Sequence, residues 1–154
     1  MNRKPIPDKN VLKSHIANLD KSIERLLYSY NICNKISAER GQKNEEYLEH
    51  YEALTARYGR SVDILVSSVL RFIDIMEYIE SGTIIDITNR AEKRGFVDSA
   101  QDLRVLKDLR NEIVHNYDSD DYEEVFDDSL RLIPDLLEIV NKVKVYCGKL
   151  LEEN

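Results

Sequence analysis

Apolar residues recur along this chain in alternating steps of four and three, and that spacing admits few folds. From Leu12 they fall at Ile16, Leu19, Ile23, Leu26, Tyr30 and Cys33, the seam of a long helix packed on others at a shallow angle. Gly41 is the expected stop. The pattern repeats at Tyr51, Leu54, Tyr58, Val62, Leu65, Val69, Phe72, Met76 and Ile79. Gly59 lies inside this second helix and is expected to mark a bend, because Gly weakens a helix interior by about 1 kcal/mol relative to Ala. Ser81-Gly82 is expected to end it. Thr83 can cap a short helix through Arg94, closed by Gly95. Asp98 or Ser99 caps a helix to about His115, with Leu103, Leu106, Leu109 and Ile113 inward. The polar turn at Asp118, Asp120 and Asp121 leads into a last helix from about Tyr122 to Leu151, which Pro134 should kink or restart.

That last helix carries two apolar stripes. One is Phe126, Leu130, Ile133, Leu137, Val140 and Cys147; the other is Val125, Leu132, Leu136, Ile139, Val143, Tyr146 and Leu150. The combined face is wider than a four-helix core requires, and a homodimer would cover the excess. No segment alternates with period two, so no sheet is expected. The expected fold is all-α: one domain over 1–154, an up-and-down bundle of about four main helices plus a short helix, with residues 1–10 as a flexible leader.

Composition narrows the class further. The 154 residues are 33% charged and 42% apolar, with five Gly and three Pro, as expected of a globular, helix-rich chain. No apolar run nears the ~18 residues that would span a membrane, and the first residues lack a secretory hydrophobic stretch. Cys33 and Cys147 belong to no CxxC pattern and read as reduced thiols of a cytoplasmic protein. The net charge of −7 argues against a general nucleic-acid binder; any RNA contact is expected to be confined to a small patch, or much of the acidic surface to face something else.

The chemistry concentrates in Leu109-Arg110-Asn111-Glu112-Ile113-Val114-His115-Asn116-Tyr117. Arg110 stands at the edge of the apolar stripe, where a permanent charge needs an anion, a carboxylate or a wet cleft. Asn111 and His115 share a helix face. Arg110 and His115 lie about 140° apart on an ideal helix. They can meet over one phosphate only if the helix frays near His115 or if a second copy faces the first. Tyr117 falls just past the helix end. Each residue also has an ordinary reading: Arg110 as a salt bridge to Asp108, Glu112 or an acid of the last helix, His115 as a cation favoured by the helix C-terminus, Tyr117 as a cap contact. His15 and His50 lack metal-ligand spacing, the tyrosines on the seams read as packing, and the acids from Asp118 to Asp128 read as a solvated turn and helix start.

This stretch resembles the R-x4-6-H motif of HEPN domains, in the extended R-N-x-x-x-H-x-Y form of HepT-like toxins, at Arg110, Asn111, His115 and Tyr117. Four matched positions arise by chance in such a chain on the order of once in ten thousand, from average residue usage. The segments Gly82 to Asp86 and Asn89 to Gly95 resemble that family too, and the resemblance extends over most of the chain beyond residues 1–10. It implies an endoribonuclease toxin that uses no metal and no cofactor. His115 would shuttle the proton of a ribose 2′-hydroxyl, Arg110 would hold the phosphate, and Asn111 would orient the phosphate or the imidazole. It also implies a homodimer with the motifs meeting in a cleft, and a partner antitoxin, an MNT-type nucleotidyltransferase, that adds AMP to Tyr117. The alternatives are a non-catalytic nucleotide- or phosphate-binding companion of a nucleotidyltransferase, and a plain helical adaptor.

Overall fold

A computed structural model describes residues 6–39, 44–80, 82–115 and 122–153, which form helices and short connections with no strand among them. The order is α1 (Lys9–Glu39), α2 (Glu45–Asp63), a π-helical segment (Ile64–Leu70), α3 (Arg71–Met76), α4 (Ile84–Lys93), α5 (Ala100–His115) and α6 (Tyr122–Glu152). Because α2, the π segment and α3 are contiguous, they form one rod. Three long helical units, one of medium length and one short thus make the all-α bundle expected from the spacing. No described helix is long and apolar enough to cross a membrane.

Helix ends follow local chemistry. Asp8 accepts the backbone N–H of Asn10 at 2.8 Å, so α1 begins at Lys9, inside the expected leader. Asn44 caps α2 by accepting the N–H of Tyr47. Thr83 and Asp86 form a reciprocal capping box on α4; the hydrogen bonds from Thr83, its backbone N–H foremost, hold the Asp86 carboxyl below the usual carboxylate range. Gly95 (φ 82°) closes α4: Phe96 N–H reaches the Ala91 carbonyl and Gly95 N–H that of Glu92, the Schellman arrangement.

The rod ends earlier than Ser81-Gly82. Tyr78 takes the left-handed conformation (φ 59°), with Ile79 N–H on the Asp74 carbonyl and Tyr78 N–H on that of Ile75. That is the same terminator built without glycine, at the strain a β-carbon brings there. Gly41 lies outside the described residues. Pro134 neither ends nor restarts the last helix; α6 runs unbroken past it, with the proline itself exposed.

Leu12, Leu19, Leu26 and Cys33 of the first seam are fully buried. α1 packs along α2 and the π segment, and α6 lies against α1, α2 and α5. The second stripe of α6 turns inward as well: Val125, Leu132, Leu136, Ile139 and Val143 are all buried within the single chain. The excess face read as a dimer surface is therefore largely consumed by the chain's own core. Burial pushes the thiols of Cys33 and Cys147 up to about 11, so both remain protonated at neutral pH.

The bundle's one fully buried carboxylate among the described residues, Asp74 on α3, has no solvent exposure. Arg90 of α4 donates to it at 2.7 Å and Arg94 lies 2.8 Å away. The bond to Asp74 raises the Arg90 pKa still further. Arg94 also contacts Glu77, which accepts the hydroxyl of Tyr146 from α6. α3, α4 and α6 are thus joined through one charged cluster. Breaking a buried pair leaves an uncompensated charge worth about 3–5 kcal/mol. Asp74→Ala is expected to lose stability in that range in urea denaturation, and a change below about 1 kcal/mol would contradict this account.

Candidate active site

α5 reaches the rod through a precise set of contacts. Ser99 caps its start, accepting the N–H of Gln101 while its own N–H donates to Asp102. Leu103, Leu106 and Leu109 are buried, which turns Arg110 toward α2. One turn before Arg110, the hydroxyl of Tyr58 donates to the Leu106 carbonyl at 2.9 Å. Gly59 is buried at the same contact, where an added β-carbon would stand 3.7 Å from Arg110 Cγ. Gly59 does not interrupt the helix. α2 stays helical through it, and the irregularity is the π segment that opens at Ile64. Such segments are frequent at functional sites.

The guanidinium of Arg110 ends on Asp63, the last residue of α2. Its Nε is 2.8 Å from Asp63 Oδ1 and its Nη2 donates to Oδ2 at 2.9 Å, a bidentate fork. Nη1 donates to Asn111 Oδ1 at 3.3 Å. Lys107, one turn earlier, approaches Asp63 Oδ1 at 3.3 Å. Two cations on one carboxylate leave a net positive locus. The Arg110 side chain keeps 27% of its exposure. A guanidinium has five N–H groups, and three face acceptors among the described residues, which leaves two for an incoming anion.

The partner of Arg110 is thus neither Asp108, Glu112 nor an acid of the last helix. Asp63 and Lys107 escaped the reading of the sequence, although Asp63 carried a signal: it is a lone charge within Val62-Asp63-Ile64-Leu65-Val66. An acid in such a run needs a cation, but spacing alone could not say which helix would supply it.

Arg110 and Asn111 are in contact. His115 stands apart as the exposed last residue of α5, its side chain forming no hydrogen bond or ion pair with another described residue. Because α5 is helical through His115, the helix does not fray before it, and the roughly 140° between Arg110 and His115 persists within the single chain. Tyr117 lies outside the described residues. His15 packs edge-on against Phe72 and His50 lies 3.8 Å from Glu46. Among the described residues no three His, Cys, Asp or Glu gather as metal ligands.

Glu112 and Ile113 lie on another side of α5, in a cleft of about 300 Å³ shared with Glu52, Thr55, Tyr122 and Phe126. Its two carboxylates repel phosphate, so an anion is favoured at Arg110 and Lys107 instead.

Asp63→Ala is expected to release the guanidinium. Its Nε–H should exchange with solvent faster by NMR, while stability changes by no more than about 1 kcal/mol because the pair is partly solvated. An unchanged Nε–H exchange rate would show that Asp63 does not hold Arg110.

The family model Ribonuclease HepT-like matches residues 44–143, a span that begins with α2, contains Asp63 and the whole Arg110-to-Tyr117 motif, and ends within α6. The match is narrower than the expected resemblance, since α1 lies outside it. No curated protein and no solved structure matches the chain. With nearly two thirds of its length in that match, the chain belongs to the HepT-like ribonuclease family of the HEPN superfamily.

Proposed function

We propose that the protein is a metal-independent endoribonuclease toxin that cleaves RNA with Arg110, Asn111 and His115 in a homodimer cleft. The observation that carries this reading is the charged fork of Arg110, fixed by Asp63 within the R-N-x-x-x-H-x-Y register.

In the proposed reaction His115 accepts the proton of a ribose 2′-hydroxyl. The 2′-oxygen attacks the adjacent phosphorus, and the bond to the 5′-oxygen breaks. That oxygen takes up a proton, and the products are a 2′,3′-cyclic phosphate and a 5′-hydroxyl. Imidazole suits the transfer because it ordinarily titrates near ~6.5. The two free N–H groups of Arg110 stabilise the charge that builds on phosphorus-bound oxygen, and Asn111 steadies the guanidinium. A second copy of the chain supplies what one protomer lacks, because two motifs facing each other bring the Arg110 of one copy to the His115 of the other. The wild-type protein is expected to cleave RNA in EDTA, and Arg110→Ala and His115→Ala each to lose at least about a hundredfold in rate, within the range for a general base or an electrostatic donor. Cleavage indifferent to both substitutions, or abolished by EDTA, would refute the mechanism.

The same reading includes restraint by an MNT-type nucleotidyltransferase antitoxin that transfers AMP to Tyr117. AMP placed two residues after His115 adds bulk and negative charge where substrate phosphate must bind. Co-expression with such a partner and ATP is expected to raise the chain's mass by one AMP residue, and Tyr117→Phe to prevent the gain. A gain that persists in Tyr117→Phe would move the modification elsewhere.

The second reading is a phosphate- or nucleotide-binding companion without cleavage. The net charge of −7 and the partial neutralisation of Arg110 by Asp63 favour it, and the EDTA experiment separates it from the first.

A further inference from the structure

A groove between α1 and α2 concentrates positive charge on a chain that is acidic overall. It encloses about 490 Å³ and is lined by Lys21 and Arg25 from α1 and by Arg57 and Arg60 from α2, with no carboxylate among its lining residues. None of these four cations forms an ion pair with another described residue. Ala53 and Ala56 line it too, so small side chains leave room between the cations. Its lining runs from Ala53 to Ser68 along the rod, roughly 22 Å at 1.5 Å per residue, enough for several phosphates of one strand.

Arg57 shows that the charge is built in rather than scattered. Its guanidinium is half-buried and its contacts are neutral: Nη1 donates to the Arg25 carbonyl at 3.1 Å and to Ser29 Oγ at 2.8 Å. A half-buried cation held by neutral acceptors beside three others is electrostatically unfavourable until an anion arrives. The same guanidinium lies 6.0 Å from the ring centre of Tyr28, which is 66% exposed. Cations along a groove with an open aromatic ring at its side are the combination that binds single-stranded nucleic acid without reading sequence. Arg60, on its lining, precedes Asp63 of the candidate active site by about one turn of the same helix.

We propose that this groove is a second RNA-contacting surface, in which Lys21, Arg25, Arg57 and Arg60 hold successive phosphates of a single-stranded RNA and Tyr28 stacks on one of its bases. The proposal rests on the ribonuclease reading for its choice of ligand. It extends that reading to a helix outside the matched family span, since α1 precedes residue 44. It also meets the requirement, set by the net charge, that RNA contact be local.

The test uses the full chain and a fluorescent, fully 2′-O-methylated single-stranded oligoribonucleotide, which cannot be cleaved through its 2′-oxygen. The triple variant Lys21→Gln, Arg25→Gln, Arg60→Gln spares Arg57, whose hydrogen bonds tie α1 to α2. Circular dichroism verifies that it folds. It is expected to bind about tenfold or more weakly, with the slope of log affinity against log salt reduced by about 2, from roughly 0.7 per lost phosphate contact. Tyr28→Ala is expected to weaken binding at least about fivefold with the slope unchanged, because stacking is not ionic. A control triple, Lys13→Gln, Lys93→Gln, Lys149→Gln, removes equal charge from other faces and is expected to bind as wild type. Wild-type affinity and slope in the groove triple, equal losses in the control, or no binding by the wild-type protein would each overturn the proposal. Binding through the groove without cleavage of unmodified RNA would instead sink the ribonuclease reading and leave the groove standing.

Discussion

A carboxylate without solvent exposure can stay charged only if cations are delivered to it, and Asp74 sets that demand on the whole bundle. It lies on the rod formed by α2, the π segment and α3, and α4 brings it Arg90 and Arg94. Arg94 then engages Glu77, and Glu77 engages Tyr146 of α6. The short helix thus acts as a carrier of two positive charges, and its tight caps at Thr83 and Gly95 fix where those charges fall. With α4 placed, the direction in which α5 leaves is set as well.

A milder form of the same logic builds the candidate active site. Asp63, at the other end of the π segment, is partly solvated, and it receives Arg110 and Lys107 from α5. Both carboxylates interrupt apolar stretches of one rod, and each recruits two cations from a later helix. Their difference is solvent. At Asp74 the cluster is sealed and serves the fold. At Asp63 the arginine retains exposure and unused N–H groups, so an anion can join the pair. Under the proposed ribonuclease reading, the opposed position of His115 leaves one copy of the chain incomplete and calls for a second.

Net charge and local charge also part company here. A chain at −7 would ordinarily repel a polyanion, yet Lys21, Arg25, Arg57 and Arg60 share one groove free of carboxylates. Part of the acidity lies in the first turns of α6, at Glu123, Glu124, Asp127 and Asp128. Totals taken over a sequence average across faces that a ligand meets one at a time.

Periodicity and caps, read without any structure, determined the helical class, the helix count and the motif at Arg110, Asn111, His115 and Tyr117. These are local quantities: the step between apolar residues, the cap at Thr83 and the left-handed glycine at Gly95 act within a few residues of chain. The tertiary structure alone decided where charges meet. It paired Arg110 with Asp63 across 47 residues of chain and buried most of both stripes of α6. It placed a π segment at Ile64 and ended the rod at Tyr78. Such outcomes depend on which faces of different helices come together, and the electrostatic energy of a pair belongs to its separation in space, which a linear pattern does not encode.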